Sequence, residues 1–268
     1  FYDCFRIRVT QGYGQTETAL RVGGVPVDID KKTYRSLVKS NTIGTELANN
    51  HLAIMDENNN EKKEGEEGEI CIAGPILADG YLNNTEETAK SFKNGWFHSG
   101  DLGYWKHVAS SLPADEAGPG LEPRKFFFII GRIKEIIIKG GVNLSPSAIE
   151  DAILKAFPEI DEVSVVGYPD ERMGEEIAAV IVLKRSPLAS QGETLQTRIL
   201  DSAQNGTIPG LSRYEAPKKV FVFNSLPKTS TGKIQRVEVK KTVAELIKKE
   251  HPKHFYVRQI TADEQQVI

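Results

Sequence analysis

The chain has 268 residues, 39% of them hydrophobic and 26% charged, with a formal net charge of −3. That length holds one large or two ordinary domains, and the composition is that of a chain that buries a core. The slight acidity removes the electrostatic case for nucleic acid, which favours a basic face. No apolar run reaches membrane-spanning length, and the longest, "FFFIIGRIKEIII", is broken by Gly131, Arg132, Lys134 and Glu135. The cysteines, Cys4 and Cys71, stand far apart in no metal-like spacing, which suits a reducing compartment and predicts a cytoplasmic protein without a disulfide framework.

Near the start, "QGYGQTETA" is polar and glycine-rich. Gly12 and Gly14 allow a ligand close to the backbone, Tyr13 offers a flat face, Thr16 a hydroxyl and Glu17 a hard oxygen that suits Mg²⁺. Read alone, the stretch is equally an ordinary glycine-rich turn. "HLAIM" and "EICIA" then read as two strands joined by a charged turn. Residues 85–92 read as a short helix, capped by Asn84 or Thr85 and stopped by Asn94-Gly95. Brief strands with one short helix predict a small β-rich subdomain.

"GWFHSGDLGYW" places Asp101 in a glycine-framed turn among aromatics. A carboxylate there suits two vicinal hydroxyls, as on ribose, or an Asx-turn with its own backbone. Residues 106–125, rich in Pro, Gly, Ala and Ser and without period, read as a structureless surface insertion.

Beyond it the pattern changes. "FFFII" and "EIIIK" are apolar runs separated by "GRIK", which reads as a hairpin interrupted by Arg132 and Lys134. Gly140-Gly141 follows, again compatible with close approach of a ligand or with a simple turn. "SPSAIEDAILKAF" is an amphipathic helix with Ile149, Ile153 and Phe157 on one stripe, capped by Ser145 or by Ser147 with Glu150. "EVSVVGY", "EIAAVIVLK" and "KVFVFNSL" read as strands, and residues 195–203 and the Val239, Val243, Leu246, Ile247 stripe as helices. The alternation predicts a compact α/β or α+β domain. The boundary is placed near residues 132–134, giving domains 1–132 and 133–268.

"LPKTSTGKIQR" ends in a fragment of a phosphate loop that fails the full pattern. Pro227 stands where the first glycine of G-x-x-x-x-G-K-S/T belongs, and Ile234 follows Lys233 in place of Ser or Thr. What remains is a lysine after a glycine on a flexible loop, suited to carrying a point charge to a phosphate or carboxylate.

Taken in this order, "QGYGQTE", "GWFHSGDLGYW", "GRIKEIIIKGGVNLSPSAIE" and "LPKTSTGKIQR" resemble the adenylate-forming (AMP-binding) superfamily of acyl-CoA synthetases, peptide-synthetase adenylation domains and beetle luciferases. The likeness runs from about Gln11 to Leu246, departs mainly at 106–125, and is nearest to the fatty and aryl acid CoA ligases. It implies a large domain's C-terminal remnant followed by a small mobile domain, with ATP, Mg²⁺ and coenzyme A as ligands. It implies an acyl-adenylate made from a carboxylic acid and ATP, then transferred to coenzyme A with release of AMP. By the same resemblance Gly12 and Tyr13 lie against adenine, Thr16 touches phosphate and Glu17 holds Mg²⁺. Asp101 and Arg132 bind ribose, and Lys134 is a hinge. Lys233 bridges the acid and the α-phosphate, and Gly140 and Gly141 line the pantetheine path. In the family a phosphate-gripping loop and most of the acyl pocket precede "QGYGQTE", so the chain is expected to be a C-terminal fragment, inactive alone. Two other readings stay open: a truncated, non-catalytic interaction module, and an adenylation domain that loads a carrier-protein thiol.

Overall fold

The computed structural model describes residues 2–5, 7–110, 121–184 and 189–249. The chain divides into two compact units, Phe1–Lys134 and Glu135–Ile268. Among the described residues no helix is long and apolar enough to cross a membrane.

The first unit runs α1 (Tyr2–Phe5), β1 (Gly12–Tyr13), a 3₁₀ turn (Thr16–Thr18), β2 (Gly23–Gly24), α2 (Lys31–Leu37), β3 (Thr42–Glu46), β4 (His51–Met55) and β5 (Gly68–Ala73). It continues with α3 (Thr85–Ser91), β6 (Phe92–Lys93), β7 (Trp96–Ser110) and β8 (Leu121–Arg132). The strands form one antiparallel sheet in the order β1-β2-β3-β8-β7-β5-β4, with β6 added beside β7. The "FFF" of β8 is apolar without alternation because both faces of that strand are covered. Phe126 and Phe128 pack with Val25, Ile29, Tyr34 and Leu37 around α2. Phe127, between them, points into a core of Val22, Ile43, Leu52, Ile54, Ile70 and Ile72. α2 begins where the Asp30 carboxylate accepts from the amides of Lys32 and Thr33, each at 2.9 Å.

A 3₁₀ turn, Ile133–Glu135, ends β8 and opens the second unit. There follow β9 (Ile137–Lys139), β10 (Val142–Leu144), α4 (Pro146–Ala156), β11 (Ile160–Asp170), β12 (Gly174–Leu183), α5 (Ala189–Asn205), β13 (Lys219–Val222) and α6 (Arg236–Lys249). The sheet order is β10-β9-β12-β11, with β13 parallel to β12. Every other pairing is antiparallel, which makes the unit α+β. β12 is again covered on both faces. Ile177, Ala179 and Ile181 face α4 and α5 through Ile149, Ile153, Leu195 and Ile199. Ala178, Val180 and Val182 face α6 through Val239 and Val243.

Three local expectations need correction. "FFFII" and "EIIIK" do not form a hairpin: β8 pairs with β3 and β7, β9 pairs with β10 and β12, and the 3₁₀ turn sends them into different units. Asn94-Gly95 does not stop α3, which ends at Ser91. It is the two-residue turn between β6 and β7, where Lys93 pairs with Trp96, and it uses the left-handed backbone that asparagine and glycine tolerate. The flanks of the 106–125 stretch are not loop but ladder: β7 continues to Ser110, and His107 and Val108 pair with Lys125 and Arg124. Side-chain partners hold those flanks: Arg124 bonds Asp28, and Lys125 bonds Glu61 while sitting 4.5 Å from the centre of the Trp105 ring. Residues 111–120 lie outside the described residues.

Both tryptophans of the chain, Trp96 and Trp105, belong to the first unit, so tryptophan fluorescence reads its unfolding in urea. Phe127→Ala is expected to lower the stability of that transition by about 3–5 kcal/mol, the cost of an aromatic-sized cavity. Leu82→Ala, at a side chain 93% exposed, should move it by less than about 0.5 kcal/mol. Equal shifts for the two variants would mean that the Phe127 core does not hold this unit.

Candidate active site

The glycine-rich loop is built around a short backbone return. Gln15 enters the 3₁₀ turn, and a reciprocal pair closes it: the Gln15 amide donates to Thr18 Oγ1 at 2.9 Å, and that hydroxyl donates to the Gln15 carbonyl at 2.9 Å. Ala19 and Leu20 then both take positive φ, 44° and 104°, and fold the chain back over Gly14. A Cβ on Gly14 would lie 1.4 Å from the Leu20 carbonyl oxygen, so only glycine fits there. Two non-glycine residues at positive φ in succession are backbone strain, which collects at functional loops.

The return delivers Tyr13 and Gln15 to Asp101. The Tyr13 hydroxyl donates to Asp101 Oδ2 at 2.6 Å and Gln15 Nε2 to the same oxygen at 2.9 Å. Arg132 Nε lies 2.9 Å from Oδ1. The sheet register sets this ion pair, because Asp101 on β7 stands opposite Arg132 on β8. Ser99 completes the group. Its carbonyl accepts from Gln15 Nε2 at 3.1 Å and from Arg132 at 3.0 Å, and its hydroxyl accepts from the Asp101 amide at 3.1 Å. Asp101 is only 3% exposed, whereas the Arg132 side chain is 53% exposed, so the cluster opens to solvent on the Arg132 side. Burial, reinforced by the Asp101 carboxylate, pushes the Tyr13 phenol well above its usual range and keeps it a donor. The Tyr13 ring belongs to the core and is 9% exposed. What Tyr13 offers a ligand is therefore a rim and a hydroxyl held by a carboxylate, not the open face expected from the loop.

Glu17 lies half-buried on the same loop. Its Oε1 accepts from the Tyr81 hydroxyl at 2.7 Å and its carbonyl from the Ala78 amide at 2.8 Å. Its Oε2 has no partner among the described residues. Thr16 is exposed beside it. Burial, and the hydrogen bond to Glu17, raise the Tyr81 phenol above its ordinary value.

In the second unit Gly140 and Gly141 form the two-residue turn of the β9–β10 hairpin, at φ 53° and 81°, with Lys139 paired to Val142. The positive φ at both positions favours glycine for the turn alone, as it does asparagine and glycine at Asn94-Gly95. Lys233 is exposed on a closed loop in which Thr229 N donates to Lys233 O at 2.8 Å and Gly232 N to Thr229 O at 2.9 Å. Its ammonium has no partner among the described residues. Lys134 is exposed within the 3₁₀ turn that joins the units.

Several residues carried no motif of their own. Gln15 and Ser99 lie inside quoted stretches, but their convergence on Asp101 depends on strand register and on the loop's return. Tyr81 gave no signal at all. Glu69, Cys71 and His98 place their donor atoms within 4.8 Å of one another and form the one such group among the described residues. His98 Nδ1 lies 2.7 Å from Glu69 Oε2 and 3.5 Å from Cys71 Sγ, and Glu69 Oε1 accepts the Gly100 amide at 2.8 Å. Burial, then the Glu69 charge, push the Cys71 thiol up to about 12. The trio is a hydrogen-bonded brace beneath Gly100 and Asp101.

The family described as AMP-binding enzyme matches residues 1–82, and the AMP-binding enzyme C-terminal domain matches residues 148–233. The chain is 34% identical over 235 residues to a medium/long-chain-fatty-acid–CoA ligase, FadD8, of Mycobacterium tuberculosis, covering 86% of this chain and 36% of that protein. It is 33% identical to an indoleacetate–CoA ligase of Aromatoleum aromaticum, covering 89% of this chain and 40% of that protein. Among solved structures, o-succinylbenzoate CoA synthetase of Bacillus subtilis in complex with its acyl-adenylate intermediate matches with a TM-score of 0.65 and 27% identity, covering 89% of this chain and 42% of that one. The two family matches fall one in each unit and together span more than half of the chain, and its relatives are CoA ligases. The chain belongs to the AMP-binding, adenylate-forming enzymes, in their CoA ligase branch. It spans about two fifths of the length of the relatives it matches.

The Asp101 cluster yields a stability test. Asp101→Ala leaves the Tyr13 hydroxyl and the Gln15 amide buried without their acceptor and should cost about 3 kcal/mol or more. Tyr13→Phe removes a donor and leaves Asp101 its other partners, and should cost about 1 kcal/mol. The reverse order in urea midpoints would show that the carboxylate is not the hub. A second test concerns the thiols. At pH 8 a thiol titrating near 12 is about one ten-thousandth ionised. Iodoacetamide should label exposed Cys4 and spare Cys71 until denaturant is added, read by peptide mass.

Proposed function

We propose that this chain forms the C-terminal part of an AMP-forming acid–thiol ligase that activates a carboxylic acid, fatty or aryl, with ATP and passes it to coenzyme A. The observation that carries the reading is the convergence of Tyr13, Gln15, Ser99 and Arg132 on the Asp101 carboxylate. Asp101 is the residue that the family resemblance gives to the ribose, and Arg132, the exposed member, is the one that can add a donor to a ribose hydroxyl. A carboxylate with one side held by the protein and the other open through Arg132 suits the bidentate capture of a sugar edge.

In the first half-reaction a carboxylate oxygen attacks the α-phosphorus of ATP, the bond to the β-phosphate oxygen breaks, and pyrophosphate leaves. In the second a thiolate attacks the acyl carbonyl, the mixed anhydride breaks, and AMP leaves with the thioester formed. Negative charge builds at the α-phosphate in the first step, and Lys233, a cation on an exposed loop with no partner among the described residues, is suited to meet it. Glu17 presents Oε2 unpartnered while Tyr81 fixes Oε1, an arrangement suited to one oxygen ligand for Mg²⁺, which supplies charge neutralisation at the phosphates when bound. Thr16, exposed beside it, carries a hydroxyl that would suit a phosphate oxygen. Gly12, also exposed on this loop, would border the adenine, and the Gly140-Gly141 turn would border the pantetheine arm. Lys134, exposed between the units, is the proposed hinge. It would let the lysine loop leave after adenylation so that one centre serves both half-reactions. Free thiols at Cys4 and Cys71 support a cytoplasmic location.

Because the chain spans about two fifths of its relatives, the test belongs in the enzyme that contains it. Lys233→Ala should reduce acid-dependent ATP–pyrophosphate exchange about a hundredfold or more. Thioester formation from supplied acyl-adenylate should stay within a few-fold of the parent. Equal losses in the two half-reactions would overturn this division of roles. Lys134→Pro should do the opposite, because proline fixes φ and removes a donor at the hinge.

A further inference from the structure

Arg236 is the first residue of α6 and stands three residues beyond Lys233. Its guanidinium is largely buried, with the side chain 17% exposed. NH2 donates to both oxygens of Glu150 on α4, each at 2.7 Å, and NH1 donates to Glu135 Oε2. Glu150 is held in turn, because its Oε1 accepts the Val165 amide of β11 at 2.7 Å. Glu135 closes the 3₁₀ turn and directly follows Lys134. One planar cation thus ties three places together: the chain leaving the lysine loop, the body of the second unit, and the first residue after the proposed hinge. The other flank of the loop is anchored separately. Gln235 N donates to Pro227 O at 2.8 Å, Gln235 Nε2 donates to Lys228 O at 2.9 Å, and Lys228 pairs with Glu162.

We infer that Arg236 is a positioning residue for Lys233: clamped between Glu135 and Glu150, it fixes the base of the lysine loop to the residue that leaves the hinge, so loop and hinge turn as one body. The inference rests on the roles proposed for Lys233 and Lys134. Its physical basis is the geometry of the guanidinium. Arginine presents a rigid fork that engages two carboxylates at once, whereas a lysine ammonium is a point charge on a flexible stem and cannot reproduce the bidentate bond to Glu150 while holding Glu135. Without the clamp the exposed ammonium of Lys233 would sample a wider volume, and a misplacement of about 1 Å at a reacting centre can cost a hundredfold in rate.

The test uses the enzyme that contains this chain and three variants, Arg236→Lys, Glu135→Gln and the double variant, with Lys233→Ala alongside. Circular dichroism and melting establish that each is folded. Arg236→Lys and Glu135→Gln should each lower kcat for ATP–pyrophosphate exchange about tenfold to a hundredfold. KM for ATP and for the acid should stay within about twofold, since the residues do not touch either substrate in this reading. The double variant should lose no more than the worse single variant, because both break one clamp. Glu135→Gln retains an acceptor and the shape of the side chain, so it keeps the test open if Arg236→Lys folds poorly. If Lys233→Ala abolishes exchange while folded Arg236→Lys and Glu135→Gln retain it, the clamp is overturned and the reading of Lys233 stands. Multiplying losses in the double variant would also overturn it. If Lys233→Ala itself retains exchange, the role of Lys233 fails and the inference falls with it.

Discussion

A carboxyl group only 3% exposed needs hydrogen-bond donors around it, and the first unit is arranged to supply them to Asp101. Each donor arrives by a different route. Arg132 arrives by register, opposite Asp101 at the end of β8. Tyr13 arrives from a two-residue strand at the sheet's far edge, and Gln15 by the return of the loop over Gly14. Ser99 binds the donors to each other through its carbonyl. The strained residues Ala19 and Leu20 and the obligatory Gly14 follow from that requirement, since the chain must turn back within a few residues to bring both Tyr13 and Gln15 to one carboxylate. The Glu69–His98 pair beneath it holds Gly100 through the backbone amide, so the segment that carries Asp101, a turn by its sequence but part of β7 in the structure, is fixed from both sides.

Rigidity at such a site requires a stiff support. In both units it comes from a strand buried on two faces. β8 sends Phe126 and Phe128 to one core and Phe127 to another, and β12 does the same with alternate residues of "EIAAVIVL". A strand packed on both sides cannot slip by one residue without exchanging the occupants of two cores. Between the phenylalanines and the ion pair the β7–β8 ladder shifts register at Leu102/Gly103, so the phenylalanines fix the body of β8 and the Asp101–Arg132 pair fixes its end.

Much of this was legible in the sequence where the signal was local and strong. β4, β5, β11, β12, α4 and α6 follow from apolar period. Of the two starts for α4, the helix takes the one with Ser145 at the N-cap position and Pro146 in the first turn, but the Ser145 hydroxyl makes no cap bond, and Glu150, occupied by Val165 and Arg236, closes no capping box. The region between Leu20 and Asn50 was silent. Its strands are two to five residues long and glycine-bearing, and pairing with distant β8 gives β3 its place. The flanks of the 106–125 stretch misled for a related reason: composition marks them as loop, but partner strands and cross-strand charges hold them in ladder. Site residues divide in the same way. Asp101, Arg132, Glu17 and Lys233 sit in recognisable stretches, while Tyr81, Glu69, Glu135 and Arg236 act through contacts 29 to 101 residues away in sequence, which no local pattern records.

The contrast between Lys233 and Arg236 shows how one short segment serves opposite demands. A cation that meets a transient charge, as proposed for Lys233, needs an unpaired head and a loop free to carry it, and Lys233 is exposed and follows a glycine at φ 82°. Such a loop carries conformational entropy, and any geometry it reaches at the moment of reaction must be selected from many. Three residues later the chain enters a helix whose first side chain is sunk between two carboxylates. The guanidinium's planar fork suits that anchoring role, and the ammonium's compact charge suits the delivering one. Placing the two cations on adjacent turns confines the freedom to the tip of the loop. Under the roles proposed for Lys233 and Lys134, the tip would be open to substrate while its base stays tied to Glu135.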